Sequence, residues 1–167
     1  ESGFYYSRYP KSDSSGHIET TDGSELWFHT IGTLQSEDSL VWSDSEHPDR
    51  FYGASVTKDG GWLVVSVHKG TSSNNALLIK GPNDTKLRWL LSEFDSSYNL
   101  IGGIGNKLWF KTDDAAPKGK IVSATIEKEK VVWEEVIPEQ NNILRGADLV
   151  GGKITATWLE DASTKAT

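Results

Sequence analysis

The chain has 167 residues, 36% hydrophobic and 25% charged, enough to bury one substantial core and typical of a soluble globular domain. Its net charge of −7 argues against nucleic acid as a partner, since phosphates would be repelled overall, and an anionic membrane surface is likewise disfavoured. No apolar run approaches the roughly 18 residues of a spanning helix, and no basic-plus-apolar leader opens the sequence. With no Cys there is no disulfide framework and no thiolate metal site. That suits a reducing compartment, and the expected location is cytoplasmic, with the periplasm as the alternative. The sequence starts at Glu1 and contains no Met, so a piece of a longer polypeptide is expected.

In chain order, short runs rich in Val, Ile, Trp, Tyr, Phe and Leu alternate with Gly, Asp, Asn, Ser and Pro, the pattern of strands joined by turns. The predicted strands are Phe4–Arg8, Leu26–Ile31, Ser39–Trp42, Gly53–Thr57, Trp62–His68, Ala76–Ile79 and Leu87–Leu91. They continue with Leu100–Gly103, Lys107–Lys111, Lys120–Ile126, Lys130–Val136, Ala147–Leu149 and Ile154–Trp158. Helix-period apolar patterns are hard to find.

The strands recur with a long period. Trp42, Trp89 and Trp133 lie 47 and 44 residues apart, and the turns "KDGGW", "GIGNK" and "LVGGK" centre on Gly60, Gly105 and Gly151, spaced 45 and 46. A period of about 45 filled with short strands fits four-stranded propeller blades, because four strands of about five residues plus their turns add up to it. An ordinary β-sandwich, the alternative, would not repeat an equivalent Trp and an equivalent turn together. The fold predicted is therefore all-β, a partial β-propeller of about three blades of four-stranded antiparallel sheets. Residues 1–47 would supply three strands of a blade, 48–94 and 95–140 a blade each, and 141–167 the first strands of a further one.

Candidate chemistry is sparse. His29, Ser36 and Asp38, in "HTIGTLQSEDSLVW", are the residue types of a hydrolytic triad. They fall at a corner between two strands, where Ser, Asp and Gln commonly bond turn backbone. The reading is structural: His29 hydrogen-bonds within the blade and Asp38 caps the incoming strand. "GASVT" at Gly53–Thr57 lacks the second Gly of a nucleophile elbow and lies in a strand. His17, His29, His47 and His68 share no ligand spacing, so no metal site and no cofactor are expected. "GGIG" at Gly102–Gly105 reads as a hairpin, Asp113 and Asp114 as a solvated turn, and the recurring Trp residues as packing between blades.

The phrases "GFYYSRYP", "HTIGTLQSEDSLVW", "DGGWLVVSVHKG" and "LWFKTDDAAPKGKIV" together resemble the propeller of the prolyl oligopeptidases. Gly32, Thr33, Gln35, Glu37 and Asp38 match one family phrase, and Phe110, Thr112, Ala116, Pro117 and Lys120 another. The resemblance implies a seven-bladed propeller covering an α/β-hydrolase domain, in serine peptidases that cleave short peptides after proline. The catalytic Ser, Asp and His would lie on that hydrolase domain, no part of which is present; the chain matches the middle of the propeller. The implied role is non-catalytic: a wall that restricts access, so that short proline-containing peptides enter and folded proteins do not. Phe51, after "EHPDR", occupies the place of a cavity-lining position. In "VHKGT", His68 stands where the family has Arg, and Thr71 at a Cys-like position. Phe51, His68 and Thr71 are thus the implied substrate-pocket lining. The implied partners are short peptides and the hydrolase domain of the same polypeptide. An open half-propeller would also self-associate through its uncovered faces. The alternative is a self-standing β-propeller or β-sandwich interaction module.

Overall fold

The computed structural model describes residues 2–9, 22–128, 130–160 and 163–166. They form fourteen strands and one short 3-10 turn at Gln35–Glu37. The first sheet is β1(Gly3–Arg8), β2(Glu25–Thr30) and β3(Ser39–Trp42). The second is β4(Arg50–Val56), β5(Leu63–Lys69), β6(Asn75–Lys80) and β7(Arg88–Leu91). The third is β8(Tyr98–Ile104), β9(Lys107–Thr112), β10(Lys120–Ile126) and β11(Val131–Ile137). The fourth is β12(Ile143–Val150), β13(Lys153–Glu160) and β14(Ser163–Ala166). Every sheet is an antiparallel meander in sequence order.

Hairpin chemistry fixes the meanders. Gly151 and Gly152 both have positive φ, 57° and 76°, as a two-residue type I′ turn between β12 and β13 requires. Gly60 and Gly105, from the same recurring motif, are likewise at φ 71° and 59°. The period seen in the sequence is therefore a repeat of turn geometry.

The side-chain alternation of β5 and β6 shows how the sheets stack. Leu63, Val65 and Val67 of β5, with Ala76 and Leu78 of β6, pack towards the first sheet and enclose Leu26. The residues between them, Val64, Leu77 and Ile79, pack towards the third sheet against Leu108, Phe110, Val122 and Ala124. On the far side of the third sheet, Ile121 meets Leu144 and Ala156 of the fourth. One core thus lies between each pair of consecutive sheets. Two-faced burial explains why "LVVSV" and "NALLI" are nearly continuous apolar runs, since each such side chain withdrawn from water contributes roughly 1.5–3 kcal/mol.

Polar clips join the sheets at their edges. The Trp62 indole Nε1 donates to the Gly105 carbonyl at 2.7 Å, tying the β4–β5 turn to the β8–β9 turn. That first turn is itself closed by Asp59, whose Oδ1 accepts from Thr57 Oγ1 at 2.6 Å and from the Gly61 amide at 3.0 Å. Asn75, only 2% exposed, holds the start of β8 with its side-chain amide, at 2.7 and 3.1 Å from the Tyr98 backbone. The Ser7 hydroxyl donates to the Tyr52 carbonyl across the first and second sheets.

Candidate functional site

Phe51 and His68 are cross-strand neighbours on β4 and β5, at the end of the second sheet where β5 turns into β6. Their rings stack at 5.3 Å between centroids with planes 16° apart. Phe51 remains 37% exposed, so the stack shows an aromatic face to solvent. Burial lowers the pKa of the His68 imidazole, which favours its neutral form near pH 7. Thr71 follows Gly70, which has φ 57°, in the exposed turn beyond β5. The structure therefore brings Phe51 and His68 together, and Thr71 joins neither of them by a hydrogen bond.

A charged frame stands behind the stack. Arg50, one residue before Phe51, donates from a guanidinium Nη1 to Asp44 Oδ2 at 2.7 Å, and its guanidinium lies 5.3 Å from the Phe94 ring. His47 Nδ1 approaches the same carboxylate oxygen at 3.0 Å. Burial opposes ionisation of Asp44, but His47 and Arg50 outweigh it and hold the carboxyl below its usual range. Lys69 pairs with Asp49 at 3.6 Å. Sequence reading missed Arg50 and Asp44; the one available signal was their closeness to the Pro48 turn.

The His29 corner is resolved as a structural clamp. His29 Nδ1 is 2.7 Å from Asp38 Oδ1, and the Tyr6 hydroxyl donates to Asp38 Oδ2 at 2.5 Å. The Tyr6 hydrogen bond lowers the Asp38 pKa, burial opposes that, and His29 and Arg8 reinforce it. The carboxylate is thus ionised at neutral pH and can only accept, so His29 Nδ1 carries the hydrogen. Ser36 sits exposed in the 3-10 turn and makes no hydrogen bond to either residue among those described. A nucleophile within reach of the imidazole is what a triad needs, and this corner lacks one. Ser55, the other candidate, is a residue of β4 paired with Val64.

The recurrent tryptophans do gather between sheets. Trp42 and Trp89 meet edge-to-face at 6.0 Å, and Trp133 lies 5.8 Å from both Phe110 and Tyr98. Trp89 is 37% exposed, more than packing between blades led one to expect, because β7 is the outer strand of its sheet. Among the described residues no three His, Asp or Glu side chains are grouped to hold a metal ion. His17 lies outside the described residues. No helix among the described residues is long and apolar enough to cross a membrane.

Successive antiparallel meanders, each sharing a core with the next, define this chain as part of a β-propeller. Residues 1–167 match the family described as the prolyl oligopeptidase N-terminal beta-propeller domain. The chain belongs to that family. It is 40% identical over 148 residues to prolyl oligopeptidase A of Amanita bisporigera, covering 82% of this chain and 19% of that protein. It is 34% identical over 164 residues to a prolyl endopeptidase of Elizabethkingia meningoseptica, covering 97% of this chain and 23% of that one. Among solved structures, prolyl oligopeptidase B of Galerina marginata in its apo form superimposes with a TM-score of 0.86 at 28% identity, over 98% of this chain and 23% of that chain. The chain thus spans about a fifth to a quarter of the length of these relatives.

Proposed function

We propose that this chain is the access-controlling wall of a prolyl oligopeptidase-like serine peptidase and supplies no catalytic group itself. The observation that carries the reading is the family match along all of residues 1–167. In the whole protein the serine of a Ser-His-Asp set on an α/β-hydrolase domain attacks the carbonyl of the proline. The bond to the next residue breaks as its amine leaves with a proton from the histidine, and water then hydrolyses the acyl-enzyme to free the serine. The propeller acts by size, admitting short peptides and turning away folded chains. Phe51 and His68 line the route with an aromatic face, suited to the apolar side chains of a peptide, and the Thr71 hydroxyl borders it. The location is cytoplasmic.

The test uses the protein carrying this sequence at its full natural length. A short peptide with one Pro-Gly bond and a folded protein displaying the same bond in a loop are compared for cleavage after the proline. The expected result is cleavage of the short peptide alone, with Phe51→Ala raising KM for peptides that have a bulky apolar residue near the proline. Equal cleavage of both substrates would overturn the reading.

A further inference from the structure

At the opposite end of the second sheet from the Phe51–His68 stack, a groove of about 510 Å³ separates the first and second sheets. That volume lies within the roughly 300–1,000 Å³ usual for ligand sites. Its floor is apolar, formed by Tyr5, Phe28, Leu63 and Leu87. All four residues of β3, Ser39–Trp42, line one wall. Among the described strands β3 is the outer one of its sheet and pairs only with β2. Its other edge therefore offers backbone N–H and C=O groups to an added strand.

Lys80 and Lys86 also line the groove, and among the described residues no Asp or Glu does. Neither lysine has an ion-pair or hydrogen-bond partner among the described residues. Three other lysines among them do have carboxylate partners: Lys107 with Glu134 at 2.8 Å, Lys69 with Asp49 at 3.6 Å and Lys120 with Glu135 at 3.8 Å. In a chain of net charge −7, two uncompensated cations beside a groove without carboxylates make a local positive site.

We propose that this groove binds an extended peptide by its C-terminal end. The peptide backbone pairs with the free edge of β3, its last apolar side chain rests on the Tyr5–Phe28–Leu63 floor, and its α-carboxylate lies between Lys80 and Lys86. The charge complementarity selects a free carboxylate, and the edge strand selects a peptide over a compact anion. The site stands independently of the peptidase reading, because it requires no cleavage and shares no residue with the stack.

The probe is a dye-labelled hexapeptide without proline, alternating Thr and Val and ending in Leu with a free carboxylate. Its binding to the full-length protein is followed by fluorescence anisotropy, beside the same peptide as C-terminal amide. The acid is expected to bind at least about tenfold more tightly than the amide, the usual scale of a charge-assisted contact. Lys80→Gln with Lys86→Gln is expected to remove that preference, and Lys80→Arg with Lys86→Arg to keep most of it. Equal binding of acid and amide to the unsubstituted protein overturns the proposal, as does no binding at millimolar peptide. Octanoate binding with the same lysine dependence, without peptide binding, overturns the peptide assignment. The acid–amide comparison needs no variant, so a substitution that fails to fold does not rescue the idea.

Discussion

Replacing Asn75 probes the joint between the second and third sheets. This residue starts β6, is 2% exposed, and grips the first residue of β8 from both sides. Its Oδ1 accepts the Tyr98 N–H at 2.7 Å and its Nδ2 donates to the Tyr98 carbonyl at 3.1 Å. Asn75→Ala removes both bonds at once. At a net ~1 kcal/mol per hydrogen bond the loss is about 2 kcal/mol, rising towards ~4 kcal/mol if the freed backbone groups stay dry. With a urea slope of about 2 kcal/mol/M, the lower figure moves the unfolding midpoint down by about 1 M at unchanged slope. Asn75→Asp sharpens the test. Its carboxylate keeps the acceptor for Tyr98 N–H but sets a second oxygen against the Tyr98 carbonyl. Burial and that repulsion raise its folded-state pKa. The stability it contributes is then present below the ordinary carboxylate range and lost as pH rises through the raised value. Relative to the unsubstituted chain, the Asp variant should be weakest near neutral pH and recover on acidification. A midpoint for Asn75→Ala indistinguishable from the parent's, or an Asp variant indifferent to pH, would refute the joint.

Phe110→Ala, at a side chain 0% exposed between the second and third sheets, should cost about 3–5 kcal/mol in urea unfolding. Phe51→Ala, at 37% exposure, should cost under about 1 kcal/mol, which separates a packing role from a binding one. Asp38 has a lowered folded-state pKa, so its contribution is present above the ordinary carboxylate range and lost as pH falls through that lowered value. The stability gap between the parent and Asp38→Asn should therefore be full near neutral pH and close on acidification, measured by unfolding at stepped pH. Phe4 and Leu40 on the first sheet are 52% and 49% exposed, and Ile143 and Val150 on the fourth are 50% and 57% exposed. The isolated chain should self-associate through these uncovered sheets, and light scattering that finds a monomer at high concentration would contradict this.

Turn geometry and two-faced burial were readable in the sequence because each leaves a local mark. Gly60, Gly105 and Gly151 announce backbone that needs positive φ, and "LVVSV" announces a strand with no wet face. Strand starts were less readable. β4 begins at Arg50, three residues before the predicted Gly53, and this places Phe51 in the ladder opposite His68. β8 begins at Tyr98 and β12 at Ile143, each ahead of a register shift, near Leu100/Gly102 and Leu144/Gly146, that breaks the alternation used to find them. β14 escaped notice because Ser-Thr-Lys-Ala carries no apolar pattern. The clips from Asn75 to Tyr98, Arg50 to Asp44 and Tyr6 to Asp38 join residues 23, 6 and 32 apart, and no short motif marks such pairs. The groove holding Lys80 and Lys86 needs two sheets to exist at all, so the sequence alone had no means to show it.

Labelling the full-length protein with a serine-reactive fluorophosphonate, followed by mass-spectrometric mapping, tests most directly whether this chain is wall or catalyst. The expected label falls on a serine outside residues 1–167, and the isolated 167-residue chain takes none. A label on Ser36 or Ser55 would contradict the account.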